Sequence, residues 1–257
     1  MRRFILLQLL LFSSFTLMAQ SSPFESESFT SSQGDQLSYR LLTPQSLEQG
    51  QEYPLVIFLH GAGERGSDNE KQLAHGSGIF QNPLNRDNFP CYAIFPQCPE
   101  DSFWIQRHRP RKPGAEEEIT PPKQADHMQT IAELIAQYTA MQSIDSKRVY
   151  IIGLSMGAMA IYEITARFPE LFAAAVPICG RTDAQRMVAA KDISFWIFHG
   201  DNDDVVPVEG SRDVYRVLRD AGTQELRYTE FAGCNHGSWN MAFNYPGLFE
   251  WLFAQSH

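Results

Sequence analysis

The sequence predicts a single α/β domain built on a mostly parallel sheet of about eight strands, with helices on both faces. Three observations lead to this fold class. Strand-like apolar runs alternate with helical patterns along the chain, which is typical of parallel sheets covered by helices. Several runs are apolar at every position, as expected of strands buried on both sides. A composition of 43% hydrophobic and 20% charged residues over 257 residues suits one well-cored globular unit.

The first half of the chain supplies a hairpin, two buried strands and a helix. Residues 27–42 are predicted to form an antiparallel hairpin that turns at Gly34 and Asp35. Residues 55–59 and 92–95 are continuous apolar runs and are expected to be buried strands. Between 124 and 142, apolar residues recur at helical spacing; they are Met128, Ile131, Leu134, Ile135 and Tyr138.

The second half begins with an apolar run at 149–152 that leads into Gly-Leu-Ser-Met-Gly at 153–157. A helix is predicted over 156–168, and Pro169 is expected to end it. The remaining elements are strands at 171–178, 193–198 and 225–231, with helices at 208–221, stopped by Gly222, and at 248–254. The one long irregular insertion, 104–123, is too short for a separate lid domain, so any cap over a site should be small.

Residues 1–19 are expected to be a signal peptide, which leaves 20–257 as a single domain. Arg2 and Arg3 form a positive start, residues 4–12 are apolar, and Ala19 precedes a possible cleavage point. A membrane anchor is the weaker interpretation, because polar residues interrupt a segment shorter than the ~20 apolar residues that a span needs. The chain is therefore expected to be secreted or periplasmic and to have no membrane partner.

The net charge of −9 argues against nucleic acid as a partner. The densest basic cluster, at 107–112, is followed at once by three glutamates at 116–118. Four cysteines, Cys91, Cys98, Cys179 and Cys234, permit up to two disulfides in an oxidising compartment, or are buried thiols. Their spacing does not suggest a metal site, so we expect neither a metal nor a cofactor. The oligomeric state stays open.

The turn at 153–157 presents Ser155 as a candidate nucleophile. A strand that runs directly into a helix needs a turn so sharp that side chains at Gly153 and Gly157 would clash. A serine nucleophile also needs a general base and a group that orients the base. His236 is the predicted base, because it lies in a Gly-flanked loop after the last strand. His60 and His199 are instead expected to brace loops by hydrogen bonding.

Two further features complete the candidate machinery. Asp201, Asp203 and Asp204 follow one strand within four residues, and the pattern alone does not choose among them as the acid. An oxyanion hole needs two backbone N–H groups, for which we predict those of Met156 and Ala62. Ala62 lies in the small-residue run at 61–63, where the backbone can approach a substrate. A phosphate-binding loop is excluded because no Gly-Lys-Ser/Thr follows.

With these motifs, the chain resembles a bacterial group of exported α/β-hydrolases. Its members are described as predicted peptidases, or as polyhydroxybutyrate-depolymerase-like and phospholipase/carboxylesterase-like esterases. The matching segments span nearly all of the chain after the leader; they are 59–66, 96–99, 153–157, 176–180, 199–207 and 233–239. The resemblance implies an α/β-hydrolase fold. It also places the acid of the His-Gly-x-x-Asp-x-x-Val-Pro loop at Asp203.

The resemblance implies a serine carboxylesterase that works through an acyl-enzyme. The implied substrates are short acyl, acetyl or feruloyl esters of polysaccharides, or polyester. Two alternatives stay open: a serine peptidase related to prolyl oligopeptidases, and a catalytically silent binding protein on the same scaffold.

Five residues near strand ends on the same side are candidates for substrate binding; they are Glu64, Gln97, Trp104, Arg181 and Trp239. Trp104 could stack on a sugar or an aromatic acyl group, or could anchor its loop. Arg181 could bind a carboxylate or pair with Asp183.

Overall fold

The computed structural model describes residues 22–105 and 125–257, and this part of the chain contains one eight-stranded sheet. The strand order across the sheet is β1-β2-β4-β3-β5-β6-β7-β8. The strands are β1 (Glu25–Thr30), β2 (Gln36–Leu42), β3 (Tyr53–Leu59), β4 (Tyr92–Pro96), β5 (Ile144–Leu154), β6 (Ala174–Ile178), β7 (Ser194–Gly200) and β8 (Leu226–Phe231).

The sheet is antiparallel at one side and parallel elsewhere. β2 pairs antiparallel with both β1 and β4, whereas every pair from β4 through β3 to β8 is parallel. The predicted hairpin is confirmed, and its turn contains Gly34 at φ 88°, a conformation that glycine adopts without strain. The prediction of a mostly parallel α/β sheet of about eight strands is therefore confirmed.

Helices cover both faces of the sheet, as predicted. Along β3, Leu55 and Ile57 belong to the core on one face, and Val56 and Phe58 to the core on the other, as the two-residue period of a strand requires. The helices are α1 (Ser77–Gln81), α2 (Pro83–Asn88), α3 (His127–Thr139), α4 (Met156–Arg167), α5 (Glu209–Asp220), α6 (Trp239–Ala242) and α7 (Leu248–Phe253). Apolar residues of α3, α4 and α5 lie in the first core, and those of α1 and α7 in the second.

The structure corrects several predicted boundaries. The strand predicted from residue 171 begins at Ala174, because Pro169–Leu171 forms a 3₁₀ turn in which the proline lacks the N–H that a strand would use. The helix predicted over 124–142 covers His127–Thr139, and the Asp126 side chain caps it by accepting from the Gln129 N–H. The short helices α1, α2 and α6 were not predicted.

Two predicted segments lie outside the described residues. They are the signal peptide at 1–19 and most of the insertion at 104–123. Within 22–105 and 125–257, the helices are all too short or too polar to reach across a bilayer.

Candidate active site

The candidate catalytic residues lie in loops at the carboxyl edge of the parallel strands, where ligands of open α/β sheets bind. Leu59 of β3 lies beside Gly153 of β5, so the loop after β3 flanks Ser155. Gly200 of β7 lies beside Phe231 of β8, so the loops that follow these two strands are also neighbours. The strand register thus brings distant parts of the sequence to one edge.

Ser155 occupies the predicted sharp turn between β5 and α4. Its backbone has φ 51° and ψ −113°, a strained conformation for a residue with a side chain. A Cβ at Gly157 would lie 2.0 Å from the Leu59 carbonyl oxygen, and one at Gly153 would lie 2.7 Å from the same oxygen. The predicted need for glycine at both positions is therefore confirmed.

Ser155, His236 and Asp203 form a continuous series of hydrogen bonds. His236 Nε2 lies 3.0 Å from Ser155 Oγ, and His236 Nδ1 lies 2.7 Å from Asp203 Oδ2. Because an ionised carboxylate only accepts, Nδ1 carries the proton and Nε2 is left to accept from the serine hydroxyl. The arrangement can deprotonate a serine hydroxyl during attack on a carbonyl.

Asp203 is fully buried at its side chain and is held on both oxygens. Its Oδ1 accepts from the backbone N–H groups of Val205, at 2.9 Å, and Val206, at 2.8 Å. Burial alone would raise the pKa of this carboxyl, but the hydrogen bonds from His236 and the two amides outweigh it and hold the pKa below its usual value. Asp203 therefore stays ionised and able to orient His236.

The two neighbouring aspartates have other environments. Asp201 Oδ1 accepts from the Gly233 N–H at 2.6 Å, which ties the acid loop to the loop that carries His236. Asp204 is exposed. Of the three aspartates, only Asp203 has a hydrogen bond to His236 among the described residues.

The loop after β3 is braced by His60, as predicted. His60 is fully buried, donates from Nδ1 to the Gly61 carbonyl at 2.6 Å and accepts the Cys98 N–H on Nε2 at 3.0 Å. Burial lowers the pKa of His60 to about 4, so the ring is neutral at pH 7 and keeps this one tautomer. The loop reaches Ser155: a Cβ built on Gly61 would lie 3.8 Å from Ser155 Cβ.

The proposed oxyanion donors lie at the starts of helical turns beside Ser155. Met156 is the first residue of α4, and Ala62 begins a 3₁₀ turn over Ala62–Glu64. The first amides of a helical turn lack intrahelical acceptors. No acceptor for the Met156 or Ala62 N–H occurs among the described residues. Both amides are thus available to a developing negative charge.

Glu64 and Trp239 lie close to the Ser155–His236 pair. The Trp239 ring is edge-on to the His236 ring, with centroids 5.3 Å apart and planes at 88°. The Glu64 side chain is 13% exposed, and its Oε2 would lie 3.0 Å from a Cβ on Gly61. Their predicted contact with substrate remains a prediction.

Gln97 and Trp104 are engaged in loop contacts. Gln97 donates to the Glu64 carbonyl and to Asp68, and accepts the Asn69 N–H. Trp104 is 1% exposed and donates from its indole to the His60 carbonyl at 3.1 Å. Both side chains therefore stabilise the loop that follows β3. For Trp104, the structure supports the loop-anchor alternative.

Arg181 is exposed just after β6. The predicted alternative of a pair with Asp183 is not seen: the Asp183 side chain instead accepts from the Gln185 N–H. Within 22–105 and 125–257, the Arg181 guanidinium has neither an ion-pair nor a hydrogen-bond partner. Its role toward a carboxylate remains a prediction.

All four cysteines are free thiols. Burial raises the pKa of Cys91, Cys98 and Cys179 to about 12, so these thiols are protonated at pH 7. Ligand-type atoms of Cys179, Asp203 and His236 lie within 4.8 Å of one another. Because His236 bonds to both Asp203 and Ser155, we assign this cluster to the Ser155–His236–Asp203 series.

Among the solved structures with this fold, two superpose over most of the chain as follows. A thermostable esterase superposes with a TM-score of 0.81 at 36% identity, over 91% of this chain and 64% of that one. A ferulic acid esterase from Anaeromyces mucronatus superposes with a TM-score of 0.64 at 19% identity, over 90% of each chain. At that identity, the second likeness shows the fold alone.

Two curated proteins share shorter segments with this chain. A bifunctional acetylxylan esterase/xylanase from Neocallimastix patriciarum is 34% identical over 91 residues, which cover 34% of this chain and 14% of that protein. Poly(3-hydroxyalkanoate) depolymerase C from Paucimonas lemoignei is 29% identical over 127 residues, covering 49% and 28%. The chain thus spans less than a third of either curated relative.

The family comparison covers most of the chain. The model of the phospholipase/carboxylesterase family matches residues 46–245, a range that includes Ser155, Asp203 and His236. The strand order, the turn at Ser155 and the solved esterase agree with this match. The chain belongs to the phospholipase/carboxylesterase family of the α/β-hydrolase superfamily.

Proposed function

We propose that this protein is an exported serine carboxylesterase that works through an acyl-enzyme. The observation that carries the proposal is the hydrogen-bonded series Ser155–His236–Asp203, with distances of 3.0 Å and 2.7 Å. The family match supports the hydrolase class, and the leader-like residues 1–19 support export.

The first half-reaction forms an ester bond to Ser155. Its Oγ attacks the carbonyl carbon of the substrate while its proton passes to His236 Nε2, and the carbonyl oxygen becomes an oxyanion. The amides of Ala62 and Met156 would stabilise that oxyanion. As the intermediate collapses, the bond to the alcohol oxygen breaks, and the alcohol leaves with the proton from His236.

The second half-reaction restores the enzyme. Water takes the place of the alcohol, and its proton passes to His236 Nε2 as its oxygen attacks the acyl carbon. The bond to Ser155 Oγ then breaks and the serine regains a proton, so that a carboxylic acid is released. Throughout both steps, ionised Asp203 holds Nδ1–H and stabilises the transient imidazolium.

The proposed substrates are short acyl, acetyl or feruloyl esters of polysaccharides, or a polyester. The names of the curated relatives, an acetylxylan esterase and a polyhydroxyalkanoate depolymerase, support this range. No feature of the described residues favours peptides specifically, so the peptidase alternative enters as one arm of the test.

A substrate panel tests the proposal. It contains p-nitrophenyl acetate and butyrate, methyl ferulate, acetylated xylan, poly(3-hydroxybutyrate) and a prolyl p-nitroanilide. We expect the wild type to hydrolyse at least one ester. In Ser155→Ala, kcat on that ester should fall by about a thousandfold or more. Turnover of the anilide alone would favour the peptidase, and unchanged ester turnover in Ser155→Ala would refute the mechanism.

A further inference from the structure

His199 is a second histidine in contact with Asp203. The proposed esterase mechanism gives it no role. The ring is completely buried at the end of β7. Its Nε2 lies 3.2 Å from Asp203 Oδ2, the same oxygen that contacts His236 Nδ1, and 2.9 Å from the Val206 carbonyl oxygen. One carboxylate oxygen thus lies between two imidazole rings.

The surroundings of His199 fix where its proton lies. Its Nε2 faces only acceptors, the Asp203 carboxylate and the Val206 carbonyl, so this nitrogen must carry a hydrogen. Its Nδ1 lies 2.7 Å from Ser211 Oγ in α5. Burial lowers the pKa of His199, so the ring is neutral and Nδ1 accepts from the Ser211 hydroxyl. Ser211 Oγ also lies 3.2 Å from the Gly180 carbonyl oxygen, and donation to the nearer Nδ1 supports the tautomer that turns an N–H toward Asp203.

We propose that His199, oriented by Ser211, is a positioning residue that holds Asp203 in the place and charge state that His236 requires. This inference rests on the proposed function. The Nε2–H of His199 donates to the Val206 carbonyl, and Nε2 lies 3.2 Å from Asp203 Oδ2, so the ring limits where Oδ2 can lie. It also withdraws negative charge from the carboxylate, which moderates the attraction of Asp203 for a protonated His236.

The backbone of Val206 strengthens this arrangement. Its N–H donates to Asp203 Oδ1 and its carbonyl oxygen accepts from His199, so one residue of the acid loop joins both side chains. The same contacts allow a purely structural role, in which His199 only braces the loop. A structural brace would change stability, whereas a positioning residue would change how activity depends on pH.

Other titratable groups also face this cluster. Cys179 at the end of β6, Cys234 and Asp201 lie near Asp203 and its loop, and Glu230 of β8 lies near His199. Burial keeps the Cys179 thiol protonated at pH 7. None of these four has a hydrogen bond or an ion pair with Asp203 among the described residues, whereas His199 Nε2 lies 3.2 Å from Oδ2, so replacing His199 should change the carboxylate more directly than replacing any of them.

The test compares His199→Met, which removes the donor, with His199→Gln, which can place an amide N–H near the position of Nε2. With p-nitrophenyl acetate, we expect His199→Met to lose about tenfold or more in kcat with KM within about twofold. The acid limb of its kcat/KM profile should move to higher pH, because a carboxylate without this donor attracts protonated His236 more strongly. His199→Gln should recover most of kcat and the wild-type limb.

Ser211→Ala is a second variant, with a smaller structural change than any replacement of His199. It should shift the acid limb in the same direction by a smaller amount. If the pH profiles of His199→Met and Ser211→Ala match the wild type, or if Gln is as poor as Met, the positioning role is wrong while the esterase proposal stands.

An activity-independent measurement completes the test. In wild-type protein, ¹⁵N NMR should show His199 neutral and protonated at Nε2 at pH 7. Protonation at Nδ1 would overturn the inference about His199, whether or not the wild type hydrolyses an ester. A wild type that hydrolyses no ester would instead refute the proposed function.

Discussion

Three aspartates within four residues differ sharply in their surroundings, and this difference identifies the candidate acid. The Asp203 side chain is fully buried and bonded to His236, Asp201 ties two loops together, and Asp204 is exposed. The sequence pattern left this choice open, and the family resemblance favoured Asp203. The geometry agrees with that choice, and the catalytic role itself is a proposal.

Asp203→Asn tests the proposed role of the acid. The asparagine amide cannot hold the His236 imidazolium as a carboxylate does, and it favours the wrong tautomer. We expect kcat on a short-chain ester to fall by about a thousandfold to ten-thousandfold. Steady-state kinetics and circular dichroism at pH 7 would separate lost chemistry from lost folding.

Asp204→Asn is the matched control. It removes one charge from the same loop at an exposed position, so kcat should stay within about twofold of the wild type. An equal loss in both variants would mean that the loop, rather than the Asp203 carboxylate, controls activity.

The sequence predicted some residue roles and missed others. The bracing by His60 follows from its place at a strand end, and the structure confirms it. The contact between His199 and Asp203 was missed, because it depends on how the acid loop folds back over β7. For Trp104 the sequence left substrate stacking and loop anchoring equally open, whereas Gln97 was predicted only as a substrate-binding candidate. The burial and partners of both side chains support loop contacts.

At the scale of elements, the turn between β5 and α4 is the feature on which the site depends. The backbone of β3 approaches Gly157 so closely that a methyl group would have to displace Leu59. The loop that carries the proposed donor Ala62 begins at His60, directly after Leu59. A small change in this turn should therefore affect both the proposed nucleophile Ser155 and the loop that carries the proposed oxyanion donor Ala62.

Gly157→Ala should be destabilising and inactivating. Its Cβ would lie 2.0 Å from the Leu59 carbonyl oxygen and 2.6 Å from the carbonyl carbon, and neither backbone atom can move without shifting β3. Overpacking of this kind costs about 1–3 kcal/mol or more of unfolding free energy. Urea unfolding and an ester assay would measure both effects.

Gly78→Ala provides the control for that experiment. Gly78 is an exposed residue of α1, and a Cβ there would have no neighbour within 4 Å. Alanine in a helix should leave stability unchanged or raise it by about 0.5–1 kcal/mol. If Gly157→Ala unfolded at the same urea concentration as Gly78→Ala, the close approach of β3 and α4 would be refuted.

The long elements were predictable because their patterns are local. Strands buried on both faces are apolar at every position, and α3 repeats its apolar residues at helical spacing. The short helices between β3 and β4 were not predictable, because segments of five or six residues have too few turns for a period to emerge. Pro169 could have indicated the 3₁₀ turn before β6, since it cannot donate in a sheet.

At the scale of the whole molecule, topology converts a linear order of motifs into one site. Ser155, Asp203 and His236 are separated by up to 81 positions but follow β5, β7 and β8 of one parallel sheet. The fold class and the grouping of these three residues could be predicted because parallel strands end at the same edge. The substrate could not, because it depends on loop side chains that carry no regular pattern.

Covalent trapping would show directly whether Ser155 is the nucleophile. The native protein is incubated with a fluorophosphonate, digested, and mapped by peptide mass spectrometry, with protein unfolded in urea as the control. We expect one adduct, on Ser155, that forms in the native sample and is absent after unfolding. Ester hydrolysis by a protein that carries no adduct at Ser155, or carries it on another residue, would show that Ser155 is not the nucleophile.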